Sequence, residues 1–177
     1  MAITEKQLLQ VPPNAGPVAG VFVPVLNAAM SRYQIVGTKR IAAFIAQIGH
    51  ESVQLRYLKE VWGPTAAQAR YEGRTALGNT MPGNGFRYRG RGLIQITGRA
   101  NYAACGEALG LNLLAHPELL EMPQHACMSA AWFWVTKGLN TLADAGQFNK
   151  ITQHINGGQN GVADQQALYA RALKVLA

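Results

Sequence analysis

TKRIAAFIAQIGHESVQLRYLKE, residues Thr38–Glu60, begins as an amphipathic helix and ends on a carboxylate. Thr38 is the expected N-cap, because a threonine side chain accepts a hydrogen bond from a free helical N–H group. Large apolar residues then recur at the helical repeat, at Ile41, Phe44, Ile45 and Ile48. Gly49-His50-Glu51-Ser52 ends this apolar face. We therefore expect a buried helix whose last turn carries Glu51 to the edge of the core.

Glu51 and Glu60 are nine residues apart, which is too far for two carboxylates on one helix to act together. On a continuous helix they would lie roughly 13 Å apart along the axis and about half a turn out of phase. If they cooperate, the helix must end near Gly49–Ser52 and the chain must fold back. Residues 54–60 lose the helical period, and Gly63-Pro64 forces a turn. Two carboxylates brought together in this way often cleave a glycosidic bond by acid–base catalysis.

The chain has 177 residues, of which 49% are hydrophobic, and its mean hydropathy is near zero. This composition predicts one globular domain over residues 1–177, which we expect to be a monomer. Pro24 and Asn27 interrupt the most apolar stretch, Val18–Met30, so no membrane insertion is expected. The first twenty residues lack the pattern of a secretory signal, which predicts a cytoplasmic protein.

The net charge of +7 indicates an anionic partner, which could be nucleic acid, anionic lipid or a cell-wall polymer. Cys105 and Cys127 are too few for a disulfide scaffold and are expected as small buried residues. His50-Glu51 begins a zinc-protease motif, but Gln54 stands where that motif needs its second histidine. We expect neither a metal nor any other cofactor.

Proline and glycine positions predict a mainly α chain with one small β element. The predicted helices are about 4–10, 17–33, 38–51, 64–71, 99–109, two that begin at Pro117 and Pro123, 148–155 and 162–176. Leu93–Thr97 is the predicted strand. Residues 73–92 are rich in glycine, and a loop of this length inside a domain is usually functional.

Arginines are concentrated in and beside this loop, at Arg70, Arg74, Arg87, Arg89, Arg91 and Arg99. Aromatic residues lie between them, a pattern that suits nucleic acid or an acidic glycan. Because the helical framework contains no recognised nucleic-acid-binding module, we expect no nucleic acid. In the alternative interpretation, the segment is a solvated loop whose arginines pair with the catalytic carboxylates.

Several motifs along the chain occur together and in a fixed order. They are AFIAQIGHES at 43–52 with the nine-residue step to Glu60, YRGRGLIQIT at 88–97, Asn101-Tyr102, and Ile155-Asn156-Gly157-Gly158. In this combination the chain resembles glycoside hydrolase family 19, which contains plant and streptomycete chitinases and many phage endolysins. The resemblance implies a lysozyme-like, mainly helical catalytic domain with a cleft, and hydrolysis by a single, inverting displacement.

The resemblance also implies a role for individual residues. Glu51 resembles the general acid and Glu60 the general base, and Thr97 takes the position of the hydroxyl that holds the attacking water. Gln95, Asn101 and Asn156 resemble substrate-binding residues. Arg171 resembles an arginine that braces the catalytic acids, and His50 and Tyr88 complete the predicted substrate-binding set.

Some segments look more like the endolysin branch of the family than like its chitinases. These segments are Arg70–Arg74, Leu77–Asn79 and Tyr88–Gly92, and the extra loops and disulfides of plant members are absent. This favours peptidoglycan over chitin as substrate, and the positive charge would hold the enzyme on an anionic cell wall. We expect release from the cytoplasm to require a holin-like, membrane-permeabilising partner.

Four alternatives remain open at this point. Glu72 could replace Glu60 as the base. Glu51-Ser52 also fits the catalytic pair of a lytic transglycosylase, which needs one carboxylate and leaves a 1,6-anhydro product. The same composition is also compatible with a chitinase, or with a module that only binds the wall or a nucleic acid.

Overall fold

The computed structural model of the chain describes residues 1–157 and 161–177. In these ranges the chain is mainly helical, as predicted, and Gly158 of the last motif lies outside them. The α-helices are α1 (Glu5–Gln10), α2 (Ala19–Arg32), α3 (Thr38–Glu51), α4 (Ala66–Ala69), α5 (Asn84–Arg87), α6 (Arg99–Leu109), α7 (Pro123–Thr136), α8 (Leu139–Asp144), α9 (Phe148–Asn156) and α10 (Val162–Leu176). Short 3₁₀ helices occupy Pro13–Ala15, Thr75–Leu77 and Pro117–Glu121.

Helix α3 lies at the centre of the hydrophobic core. Its residues from Ile41 to Gly49 are all buried, α10 packs along it, and α2 packs against α7. Phe44 of α3 meets Trp134 of α7 edge to face, with ring centroids 5.3 Å apart. A helix that is buried all round is held by its neighbours on every side. Glu51, as its last residue, therefore has a fixed position.

A second apolar cluster holds the loop that approaches Glu60. Its buried members are Tyr88, Ile96, Tyr102, Cys105, Leu113 and Leu120. The Tyr102 hydroxyl donates a 2.6 Å hydrogen bond to the Arg89 carbonyl and accepts one of 3.0 Å from Nη1 of Arg91. These contacts fasten residues 88–98 to α6.

The predicted strand at Leu93–Thr97 is wrong. Gly92 and Gln95 have positive φ angles of 82° and 56°, so the chain turns between them instead of extending. The turn brings Arg91 opposite Ile96, and each backbone N–H donates to the other's carbonyl, at 3.1 and 2.8 Å. In the described residues, the β element consists of two isolated bridges, Lys59 with Arg91 and Arg91 with Ile96. The apolar run that suggested a strand is buried as a turn.

The predicted starts of α2, α3 and α4 are displaced by one or two residues, and α2 begins at Ala19 rather than at residue 17. Gly37 occupies the N-cap of α3, and the Thr38 hydroxyl instead donates a 3.2 Å hydrogen bond to the Leu176 carbonyl at the end of α10. Helix α4 starts after Thr65 rather than at Pro64, because Thr65 and Gln68 form a capping box.

The predicted fold-back after Glu51 is confirmed. Helix α3 ends there, and Val53, Gln54 and Leu55 all adopt left-handed backbone angles, with φ of 49°, 58° and 66°. Ser52 stabilises this reversal, because its hydroxyl donates to the Ile48 carbonyl at 2.5 Å and accepts from the Leu55 N–H at 2.8 Å. The chain therefore leaves the helix in a new direction immediately after the predicted acid.

Cys105 and Cys127 are buried and unbridged, as predicted. Burial raises the pKa of the Cys105 thiol to about 12, so this thiol is unreactive near neutral pH. In the ranges that the structure describes, no helix combines the length and the apolar character needed to cross a bilayer.

We expect Val53→Gly to raise the melting temperature by about 2 °C. A left-handed conformation costs an L-residue roughly 1–2 kcal/mol, which exceeds the entropic cost of placing glycine there, and about 1 kcal/mol shifts the melting of a domain of this size by roughly 2–4 °C. Val53 is 53% exposed, so little packing is lost. Val61→Gly is the matched control, since Val61 is exposed but its backbone is not left-handed. Equal losses of stability in both variants, measured by thermal unfolding, would show that the turn is unstrained.

Candidate active site

Glu51 is partly buried at the end of α3 and is held by side chains from two other helices. Nε2 of Gln165 in α10 donates to its Oε1 at 3.4 Å, and a hydrogen bond links it to the Asn156 side chain of α9. Burial raises the pKa of Glu51 above its ordinary value, and the charge of His50 and the Asn156 hydrogen bond act in the opposite direction. A carboxyl group that keeps its proton beyond the usual range is suited to general acid catalysis.

A buried polar network lies behind Glu51, and the sequence analysis missed it. Nε2 of Gln165 also donates to Oε1 of Gln47 at 3.1 Å, and Nε2 of Gln47 donates to the Thr152 hydroxyl at 2.8 Å. All three side chains are buried, so the network fixes the Gln165 amide beside Glu51. The available signal was Gln47, a polar residue within the apolar run of α3.

His50 lies beside the N-terminus of α10. Its Nδ1 is 2.6 Å from Oδ2 of Asp164, and a Cβ added at Gly161 would overlap the imidazole ring. These contacts fix the orientation of the ring next to Glu51. The predicted contact of His50 with substrate stays a prediction.

Glu60 is held by hydrogen bonds to both carboxylate oxygens. Oε1 accepts from Nε2 of Gln68 at 3.0 Å and from the Tyr71 hydroxyl at 3.4 Å, and Oε2 accepts from the Gly90 N–H at 3.0 Å. The Glu60 N–H donates to the Gly90 carbonyl at 2.8 Å. The pKa of Tyr71 is raised by burial and by the negative charge of Glu60. Glu60 is therefore placed by short-range contacts with α4 and with the glycine-rich loop.

Gly90 connects Glu60 to the predicted substrate-binding residue Gln95. A Cβ added at Gly90 would overlap the Gln95 amide oxygen. The Gln95 amide itself donates to the Gly92 carbonyl at 3.1 Å. Glu60 and Gln95 therefore both contact Gly90, which cannot carry a side chain without displacing the Gln95 amide.

Gln95, Thr97 and Asn101 line one cavity of ≈ 350 Å³, together with Leu77 and Trp132. The Thr97 hydroxyl donates to the Gln95 carbonyl at 2.9 Å. Nδ2 of Asn101 donates to the Thr97 carbonyl at 2.7 Å. The structure thus brings three of the predicted site residues together, joined by hydrogen bonds to one another and linked to Glu60 through Gly90.

Two predicted site residues have contacts that differ from the prediction. Tyr88 is 5% exposed, and its hydroxyl donates to the Leu114 carbonyl at 3.1 Å. The side chain therefore packs inside the protein and anchors the glycine-rich loop. Arg171 donates to the Val11 carbonyl at 3.0 Å. In residues 1–157 and 161–177 no ion pair joins Arg171 to Glu51 or Glu60. It braces the end of α1 instead of the carboxylates.

Glu72, the alternative base, is engaged in a structural role. Its two oxygens accept hydrogen bonds from the N–H groups of Gly83 and Gly85, at 2.5 and 2.8 Å. A Cβ added at Gly85 would overlap Glu72, so the two segments are in close contact. Glu72 therefore closes the glycine-rich loop onto the start of α5.

Among the described residues, no ion pair joins the arginines of this loop to Glu51 or Glu60. Arg91 is buried and forms a 2.7 Å ion pair with Glu121, and Arg87 donates to the carbonyls of Leu114 and Ala115. Their role is to hold the loop in its conformation. Within the described part of the chain, no three His, Cys, Asp or Glu side chains converge as metal ligands.

Comparison with known proteins gives consistent matches. The family profile described as Chitinase class I, glycoside hydrolase family 19, matches residues 28–145, more than half of the chain. A Haemophilus influenzae protein described as containing a glycosyl hydrolase family 19 domain is 32% identical over 99% of this chain and 97% of its own length. An Arabidopsis thaliana endochitinase is 38% identical over 78% of this chain, but the match spans only 46% of the plant protein.

Chitinase C from Streptomyces griseus has a similar structure, with a TM-score of 0.78 and 28% identity over 98% of this chain and 76% of that one. This likeness confirms the predicted lysozyme-like helical fold, and the sequence matches confirm the predicted family. The chain belongs to glycoside hydrolase family 19.

Proposed function

We propose that this family 19 glycoside hydrolase cleaves the β-1,4 linkages of peptidoglycan glycan strands, as an endolysin-type muramidase. The observation that carries the catalytic part of the proposal is the partly buried Glu51, whose pKa is raised, at the end of a helix whose residues 41–49 are all buried. Such a group can hold a proton until a leaving oxygen takes it.

In the proposed mechanism, protonated Glu51 donates its proton to the oxygen of the departing sugar. Glu60, fixed by Gln68, Tyr71 and Gly90, removes a proton from a water that attacks from the opposite face of the ring. The Thr97 hydroxyl holds that water together with Glu60. Two carboxyl groups that flank a water in this way stand roughly 6.5–9.5 Å apart.

The choice of peptidoglycan rests on charge and on the glycine-rich loop. The net charge of +7 favours binding to an anionic wall, and the segments around Arg70–Arg74 and Tyr88–Gly92 are similar to endolysins of the family. The second candidate is a chitinase, which the names of the matched plant and streptomycete proteins favour. A lytic transglycosylase would leave Glu60 without a catalytic role.

Mass spectrometry of digested peptidoglycan tests the proposal, with chitin oligomers digested in parallel. We expect new N-acetylmuramic acid reducing ends without 1,6-anhydro groups. Cleavage of chitin oligomers alone would show that the substrate is chitin and not peptidoglycan. Anhydro ends would show that the enzyme is a transglycosylase and not a hydrolase.

Glu51→Gln should lower activity by at least about 10²-fold, because glutamine keeps the shape of the side chain but has no proton to donate. Turnover of solubilised peptidoglycan is the measurement. Circular dichroism and sedimentation with cell walls should show that folding and binding persist. A folded Glu51→Gln protein with near-normal turnover would exclude Glu51 as the acid.

The same variant should also change how stability depends on pH. The folded-state pKa of Glu51 is raised above the reference value of 4.5, so its contribution to stability is complete below that value and is lost as pH rises through the folded pKa. Glu51→Gln removes this loss. Near about pH 7 the variant should therefore melt above the wild type, and near about pH 4 the difference should shrink. A difference that is the same at both pH values would mean that Glu51 carries no burial penalty.

Glu60→Gln and Glu72→Gln should fail in different ways. Glu60→Gln should retain the fold and lose turnover, because an amide cannot act as the proposed base. Glu72→Gln should melt earlier, because it weakens two hydrogen bonds to backbone N–H groups, while the folded fraction keeps its activity. Turnover per folded molecule distinguishes the two, and the reverse pattern would make Glu72 the base.

Thr97→Val should lower kcat about tenfold or more and change KM little, since it removes the hydroxyl proposed to hold water but keeps the side-chain volume. Thr97→Ser is the matched control, because it keeps the hydroxyl and should retain most of the turnover. A rise in KM alone would assign Thr97 to substrate binding.

A further inference from the structure

A groove beside Glu60 combines aromatic and cationic side chains. Its volume is ≈ 660 Å³, and it is lined by Arg56–Trp62 with Phe86, Arg89 and Glu121. We refer to it as the Trp62 groove. Glu60 itself lines this groove, whereas Gln95, Thr97 and Asn101 line the neighbouring cavity.

The aromatic side chains of the Trp62 groove are packed against one another but remain accessible. Trp62 and Phe86 meet edge to face with ring centroids 5.4 Å apart, while Tyr57 and Phe86 are 47% and 52% exposed. Exposed aromatic surface next to a catalytic residue indicates a binding site. Flat aromatic faces suit the apolar face of a sugar ring.

The positively charged side chains of the groove differ in whether they already have an ion-pair or hydrogen-bond partner. Lys59 forms a 3.1 Å ion pair with Glu121. Arg56 is exposed, and across residues 1–157 and 161–177 it has neither an ion pair nor a side-chain hydrogen bond. Arg89 lies 4.1 Å from the centre of the Phe86 ring and donates one hydrogen bond, to the Phe86 carbonyl. Its Nε is buried and has no partner in the described residues, so the donors of Arg89 that remain for a ligand are those of its terminal nitrogens.

We propose that the Trp62 groove is a subsite for a carboxylate carried by the substrate, on the stem peptide or on the lactyl group of a muramyl residue. A guanidinium group with unused donors is well suited to bind a carboxylate. Arg56 supplies the charge contact, Arg89 supplies a second donor group, and the aromatic side chains hold the sugar. Chitin carries no carboxylate, so the groove selects muramyl glycans over chitin. This inference rests on the proposed peptidoglycan substrate.

Binding of soluble fragments to the full chain tests the subsite. The probes are a glucosaminyl-muramyl dipeptide, the same disaccharide without peptide, and the neutral dimer of N-acetylglucosamine, each titrated by NMR. Arg56→Gln should weaken binding of the dipeptide probe about fivefold, which is the size expected for one exposed ion pair, and should weaken the neutral dimer less. Added salt should reduce the wild-type preference.

Arg32→Gln is the matched control, because it removes the same charge from α2, which lines a different cavity. It should leave the preference for the dipeptide probe unchanged. If Arg56→Gln removes the preference over the neutral dimer for the dipeptide probe alone, the ligand is the stem-peptide carboxylate. If it also removes the preference for the peptide-free disaccharide, the ligand is the lactyl group. If Arg56→Gln and Arg89→Gln both leave the preference unchanged, the groove does not bind carboxylates.

These titrations measure binding without cleavage, so the two proposals can fail separately. An enzyme that cleaves chitin oligomers but not peptidoglycan would refute the proposed function. Binding of the dipeptide probe that depends on Arg56 would still support the subsite. Conversely, normal muramidase activity with no dependence on Arg56 or Arg89 would refute the subsite alone.

Discussion

The burial of α3 on all sides is the constraint on which the site depends. Packing of α10 along this helix brings Gln165 and the polar network of Gln47 and Thr152 behind Glu51. The same packing removes water from the carboxyl group and raises its pKa. A carboxyl group buried in this way is less stable in its charged form. Ionisation of Glu51 therefore lowers the stability of the folded protein, while the raised pKa keeps a proton available for the proposed catalysis.

The position of Glu60 is set by backbone turns and backbone hydrogen bonds and not by core packing. Three left-handed residues turn the chain away after Glu51, and Glu60 is then held through the backbone of Gly90. Because Gly90 has no side chain, the Gln95 amide can pack directly against it. A core helix thus positions Glu51, the proposed acid, and a glycine-rich loop fastened by Arg91 and Tyr102 positions Glu60, the proposed base.

Much of the fold could be predicted because its signals are local. The helical repeat of α3 and its end near Glu51 both follow from residues close in sequence. The strand at Leu93–Thr97 was mispredicted because a buried apolar run has the same composition in a turn and in a strand. The roles of Gln165, Arg171 and Glu72 depend on contacts between distant segments. Single-sequence patterns carry no information on such contacts.

The anomeric configuration of the first product tests the two-carboxylate mechanism most directly. A soluble β-1,4 oligosaccharide can be digested in an NMR tube and the new reducing end observed before it equilibrates. Attack by a water held between Glu60 and Thr97 predicts the inverted, α product. Release of the β product would contradict this mechanism, because retention requires a covalent intermediate and carboxyl groups only about 5–5.5 Å apart.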